Sequence, residues 1–160
     1  MYKTTSEQSG RRSLLTATLD VVNRGFVCDE SDRDCVFDLT AWIDRTIIDN
    51  KPTMIQTTIQ VKTMQGNRIC KEVNRSNEVV CKGGKTRNSI SYANEGVDWI
   101  VGVDKEGVCN WYKWETYSKI PTKSFSVNKY PPDKFPSRTV PSNNSNQIKF
   151  KNTASWTTQS

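Results

Sequence analysis

The sequence predicts a single α/β or α+β domain built on a mainly mixed β-sheet. Three observations predict it. Residues 10–24, GRRSLLTATLDVVNR, place apolar side chains at helical spacing. Residues 35–44, CVFDLTAWID, and 53–63, TMIQTTIQVKT, alternate in the manner of half-buried strands. Residues 97–104, VDWIVGVD, form a short apolar run, followed by a KEG turn signal and a second run, VCNWYKW, at 108–114. A helix followed by strands in this order is the pattern of a layered domain, and 160 residues suit one such unit.

The helix puts Leu14, Ala17 and Val21 on one track and Leu15, Leu19 and Val22 on the adjoining one, which predicts a broad apolar face. Ser9 or Ser13 is the expected N-cap, and Gly25 the stop. FVC at 26–28 reads as a short first strand, and DESDRD as the polar loop after it. In the next strand Val36, Asp38, Thr40 and Trp42 alternate with Phe37, Leu39, Ala41 and Ile43. Asp38 is therefore a carboxylate in an otherwise apolar strand. A loop centred on DNKP, 49–52, leads to the long strand at 53–63. Residues 64–95 are polar and predict only short hairpin pieces such as EVVC. KSFSV, 123–127, reads as an edge strand. From Tyr130 onward the chain is rich in Pro, Ser, Thr and Asn and predicts coil or an arm that orders on a partner.

Composition narrows the chemistry. The chain has no His, which excludes Ser-His-Asp and Cys-His mechanisms. The five cysteines, Cys28, Cys35, Cys70, Cys81 and Cys109, show no close C-x-x-C pair, so a structural zinc site is not expected. Their odd number, and an N-terminus without an apolar signal region, lead us to expect reduced thiols and a cytoplasmic, intracellular location. No apolar stretch is long enough to predict a membrane span. Charge is segregated: residues 28–49 are acidic, whereas 67–91 and 118–160 are basic. One acidic and two basic segments suit a chain that holds a cation and a polyanion together.

Within TTIQVKT, 57–63, Ile59 and Val61 point to one face and Gln60 and Lys62 to the other. If Asp38 on the preceding strand lies beside that Gln-x-Lys face, the carboxylate offers a hard oxygen ligand for Mg²⁺ or Mn²⁺. The Gln60 amide oxygen and the Val61 backbone carbonyl offer others. Such a cation lowers the pKa of a bound water and neutralises charge on a phosphodiester oxygen, and Lys62 stabilises the transition state electrostatically.

At these residues the sequence resembles the PD-(D/E)xK nuclease superfamily. The matching pieces are FDLTAWID, 37–44, and IQVKT, 59–63, preceded by the helix that ends at Arg24-Gly25-Phe26; SYANEGVDWIVGVDKEGVCNWYKW, 91–114, extends the likeness. The sequence looks like one branch of that superfamily, which carries D…QVK with Gln in place of the second acid and includes a small intron-encoded homing endonuclease of cyanobacteria. The resemblance covers roughly residues 10–117 and implies a restriction-endonuclease-like core, a central mixed β-sheet flanked by helices. It makes Asp38, Gln60 and Lys62 the catalytic residues and Asp38, Gln60 and the Val61 carbonyl the metal ligands. Many relatives also carry a Glu on the first helix facing the metal. Here the corresponding position is Leu14, and Glu7 is the only acid before the helix body. No Pro precedes Asp38, and the Asp38-to-Gln60 spacing is longer than in compact members of the superfamily.

Double-stranded DNA is then the expected partner. KGGKTR, 82–87, offers Lys82, Lys85 and Arg87 to phosphates on a flexible turn, and Arg68, Lys71 and Arg75 extend the same basic segment. The expected organisation is a nuclease core at 1–117 and a basic extension at 118–160 that contacts DNA or packs on another subunit. Cutting both strands needs two active sites, which implies a homodimer or homotetramer. Two alternatives keep the same fold: a Holliday-junction resolvase-like, structure-selective nuclease, and a DNA-binding protein that has lost catalysis.

Overall fold

The computed structural model describes residues 5–32, 35–74 and 89–138. Along the chain these form α1 (Ser6–Asn23), β1 (Val27–Glu30), β2 (Leu39–Ile48), β3 (Lys51–Thr63), β4 (Arg68–Cys70), β5 (Glu72–Asn74), β6 (Ser89–Ser91), β7 (Trp99–Val103), β8 (Cys109–Lys113), α2 (Trp114–Tyr117) and β9 (Ser124–Ser126). The main sheet has the order β1-β2-β3-β7-β8. β3 runs parallel to β7, and the other neighbours are antiparallel, so the sheet is mixed as expected. Two short ribbons, β4 with β9 and β5 with β6, flank it.

α1 begins earlier than its apolar pattern suggests. Thr5, not Ser9 or Ser13, is the N-cap: its hydroxyl accepts the Gln8 N–H at 3.1 Å, and the Gln8 side chain accepts the Thr5 N–H at 2.9 Å. Ser13 is instead a buried hydroxyl 2.7 Å from that of Thr63 on β3. Gly25 ends the helix at φ +94°, a backbone region costly for any residue with a Cβ. The broad apolar face is narrower than expected. Ala17 and Val21 are buried and Leu14 is partly so, while Leu15, Leu19 and Val22 are exposed. The sheet is met by one track of the helix, and the adjoining track points away from it.

The first core lies between α1 and the sheet and contains Ala17, Val21, Leu39, Ala41, Ile59, Val61, Trp99, Val101 and Trp111. The second lies on the other face and contains Ile69, Tyr92, Ile100, Tyr112, Tyr117 and Phe125. β7 is buried along its whole length because both of its faces are covered. The DNKP loop is shorter than expected: Asp49 and Asn50 make the turn at φ 51° and 62°, and Lys51 and Pro52 already belong to β3. Two left-handed residues suit a two-residue hairpin connection. β2 likewise starts at Leu39 rather than Cys35, which leaves Asp38 just outside its end.

The fold does not end at residue 117. Ile120, Phe125 and Phe135 are buried, β9 completes the ribbon with β4, and the Phe135 ring stacks on Trp111 at a centroid distance of 3.9 Å. The expected boundary therefore divides one packed unit. Residues 139–160, and the EVVC piece at 78–81, lie outside the described residues.

Gly102 is the β7 partner of Lys62. A Cβ there would lie 2.4 Å from Ile69 Cδ1 and 2.9 Å from Met64 Cγ. Ile69 is 1 % exposed and packed in the second core, so it must shift to make room. Gly102→Ala should therefore destabilise the protein by about 1–3 kcal/mol in urea unfolding, and adding Ile69→Val should recover part of the loss.

Candidate active site

The last described residue before β2 fixes the geometry of the site. The Asp38 N–H donates to the Ile59 carbonyl at 2.9 Å, and its own carbonyl accepts the Ser31 N–H at 2.9 Å. With its backbone held from both sides, the Asp38 side chain reaches along β3. Its Oδ2 accepts the Val61 N–H at 2.9 Å. A carboxylate has thus taken the place of a strand as partner to this amide. In an extended strand the N–H and C=O of one residue point to the same side, so the Val61 carbonyl faces the Asp38 side of β3.

Gln60 and Lys62 share the face of β3 opposite α1. Gln60 is buried, and its Nε2 donates to the Val61 carbonyl at 3.2 Å. Lys62 Nζ donates to the Tyr92 hydroxyl at 3.3 Å and stands 5.2 Å from the centroid of the same ring. Burial pushes the Asp38 carboxyl above its ordinary range, against the Val61 N–H bond and the Lys62 charge, which favour ionisation. Burial lowers the Lys62 ammonium, while Cys70 and Asp38 act in the opposite direction. Asp38 and Gln60 thus both bond the Val61 backbone, and Lys62 feels the Asp38 charge.

Glu7 does not join them. It lies exposed in the first turn of α1, and among the described residues no hydrogen bond or ion pair links it to Asp38, Gln60 or Lys62. α1 packs on the opposite side of β3, where Thr63 Oγ1 meets Ser13 and the Ser9 carbonyl. Lys71 is also not where the basic segment led us to expect. It is buried, and its ammonium donates to the carbonyls of Tyr117 and Ile120, which close the end of α2. It is a structural cation and not a phosphate contact. Lys82, Lys85 and Arg87, with Arg75, lie outside the described residues. Tyr92 had no assigned role in the sequence, because thirty residues separate it from Lys62 and no periodicity connects them.

The donor set fits a hard divalent cation. Oδ2 of Asp38 is engaged, but among the described residues Oδ1 has no donor. The Val61 carbonyl faces the same side of β3. The Gln60 carboxamide already touches that carbonyl through its nitrogen, and a half-turn of the amide would bring Oε1 to the same place. Two carbonyl oxygens and a carboxylate oxygen are the hard donors that a magnesium- or manganese-type ion takes. Among the described residues no three acidic or Cys side chains cluster, so any such site rests on the amide and the backbone.

Neither a comparison with protein families nor one with curated protein sequences gave a match. Solved structures do match. The bacterial homing endonuclease I-Ssp6803I superposes with a TM-score of 0.58 at 11 % identity, over 77 % of this chain and 78 % of that one. The Holliday junction resolvase Hjc of Archaeoglobus fulgidus superposes with a TM-score of 0.45 at 13 % identity, over 76 % of this chain and 87 % of that one. The chain has the restriction-endonuclease-like fold that its sequence predicts, shared with the homing endonuclease.

The raised Asp38 carboxyl has a consequence for stability. The folded protein binds more protons than the unfolded chain between the ordinary Asp pKa and the raised one, so this group's contribution falls as pH rises through that window. Asp38→Asn keeps an acceptor for the Val61 N–H and loses the titration. Denaturant unfolding at several pH values should show wild type losing stability relative to Asp38→Asn as pH rises from acid toward neutral.

Proposed function

We propose that the chain is a divalent-metal-dependent DNA endonuclease that hydrolyses phosphodiester bonds in double-stranded DNA, of homing or restriction type. The observation that carries this reading is that Asp38 and Gln60 both bond the Val61 backbone, with the next residue, Lys62, in electrostatic reach of Asp38. Asp38, the Val61 carbonyl and Gln60 would hold Mg²⁺ or Mn²⁺. When bound, the ion acidifies a water and offsets charge on the phosphodiester. Lys62 supplies the electrostatic stabilisation of the pentacovalent state, and its ammonium is directed by the Tyr92 hydroxyl and ring. The absence of His is no obstacle, since neither the carboxylate nor the ammonium needs one. The fold shared with a bacterial homing endonuclease supports the same reading.

The substrate implies further properties. One such site cuts one strand, so duplex cleavage calls for a homodimer or homotetramer. An intracellular place of action follows from a DNA target, and no helix among the described residues is long and apolar enough to cross a membrane. Lys82, Lys85 and Arg87 remain the proposed phosphate contacts of the basic insert.

The test is cleavage of plasmid libraries with Mg²⁺ or Mn²⁺ by wild type and Lys62→Ala, with thermal melts to confirm folding. Wild type should cut, and Lys62→Ala should lose about a hundredfold or more in single-turnover rate. Cleavage that persists in the variant at the wild-type rate rules out Lys62 and this site. A wild type that binds DNA but cuts nothing with any divalent ion identifies a binding protein on a nuclease fold.

A further inference from the structure

A cavity of about 400 Å³ opens beside Lys62, between the end of β3 and the β4–β9 ribbon. Lys62, Gln65, Arg68, Cys70 and Ser124 contribute to its wall, and no carboxylate is among its lining residues. Its two charged side chains are both cations. The volume is in the range of cavities that take small ligands.

Arg68 is held from the side. Its Nη2 donates to the Ser124 carbonyl at 2.9 Å and to the Ser124 hydroxyl at 3.0 Å, and its Nε reaches the same hydroxyl at 3.3 Å. Ser124 is itself fixed as the β9 partner of Cys70, and its carbonyl also receives the Thr122 hydroxyl at 2.7 Å. Among the described residues no carboxylate pairs with Arg68, and its Nη1 donates to nothing. An exposed arginine usually spreads over many rotamers. Here Nε and Nη2 are tied to the ribbon and Nη1 is left open in a site without negative charge. With Nε and Nη2 engaged by Ser124, Nη1 is a pre-set, charged donor for one oxygen of an anion such as phosphate.

The cavity and the Asp38 site share Lys62 as a common wall. We propose that this cavity receives the nucleotide next to the phosphodiester held at Asp38 and Lys62, with the phosphate of that nucleotide on Arg68. The inference rests on the nuclease reading for its substrate, but Arg68 takes no part in the chemistry. It is a binding residue that sets where along the strand the scissile group stops.

The test uses fluorescein-labelled duplex and single-stranded oligonucleotides without divalent ions, so that binding is read apart from cutting. Compared with wild type, Arg68→Gln should bind about tenfold more weakly, and its log K against log salt slope should be smaller by about 1. Arg68→Lys should keep the slope, because the charge remains. Ser124→Ala, which removes the two hydroxyl contacts of Arg68 and leaves its bond to the Ser124 carbonyl and the β4–β9 pairing, should weaken binding less than Arg68→Gln does. In ¹⁵N spectra of the wild type, the Arg68 Nε signal should shift on saturation with the oligonucleotide. If wild type cuts DNA, Arg68→Gln should raise KM and leave kcat within about twofold. Wild-type affinity and salt slope in Arg68→Gln, or an Arg68 Nε signal that does not move at saturation, overturns the proposal while the nuclease reading stands. Cutting that fails in wild type while Arg68 responds to DNA overturns the nuclease reading and leaves the binding site. A wild type that binds no DNA overturns both.

Discussion

The hydrogen bond from the Val61 N–H to the Asp38 carboxylate is the point on which the arrangement depends. β2 stops pairing with β3 at Leu39, while β3 runs on to Thr63. The amide beyond the last rung needs a partner, because an unsatisfied buried N–H costs free energy comparable to a lost hydrogen bond. Asp38 supplies that partner with a side chain. A strand in its place would have sealed this edge of β3. With a side chain there, the Val61 carbonyl and the second carboxylate oxygen stay available, and Gln60 and Lys62 flank them. The rest of the fold keeps β3 fixed at this point: β7 alongside it, α1 against one face, and Ile69 and Tyr92 on the other.

Much of this was legible in the sequence because β-structure has a period of two. Alternation placed Gln60 and Lys62 on one face of a strand without any knowledge of their neighbours, and it marked Asp38 as a carboxylate among strand formers. The helix was legible through its spacing, but its start was not. The capping pair Thr5 and Gln8 lies in a polar stretch before the first apolar residue, where periodicity gives no signal. Nor does periodicity say how much of a helix face finds a partner. Leu15, Leu19 and Val22 fit the pattern as well as Ala17 and Val21 do, and only the width of the sheet contact separates them. The edge strand at 123–127 was legible, but the packing of the chain beyond Tyr130 was not, for a related reason. Phe135 returns to stack on Trp111, a contact between distant residues that leaves no local trace amid Pro, Ser and Asn.

Two buried lysines show why charge counting alone does not locate function. Lys71 and Lys62 both lie on strands or their ends, and burial depresses both ammonium groups. Lys71 spends two of its three N–H donors on the Tyr117 and Ile120 carbonyls, and its charge answers the carbonyl end of α2. Lys62 has one phenolic oxygen, one ring face and the charge of Asp38 nearby. An ammonium carries three N–H donors, and among the described residues only one of those on Lys62 is used. What distinguishes them is unspent hydrogen-bonding capacity beside an open cavity, a property of packing that the sequence does not display.

The same accounting bears on the single carboxylate. Asp38 and Lys62 balance each other, so the cluster is near neutral, and Gln60 adds donors and acceptors but no charge. A phosphodiester brought beside Lys62 is attracted by the ammonium and repelled by the carboxylate. With a second acid at position 60 the repulsion would grow, and a cation would have to bind first to overcome it. Cation and phosphate carry opposite charges, so each makes the site more favourable for the other whatever stands at position 60, and Gln60 lowers the repulsion a phosphate meets before the cation arrives. Arg68, held by Ser124 on the far side of Lys62, adds attraction without adding to the charge at Asp38 itself. In the proposed reading, the chain offsets the weaker metal affinity of an amide by holding the substrate strand more firmly. That division of labour assigns Asp38 and Gln60 to the ion and Lys62 and Arg68 to the phosphates.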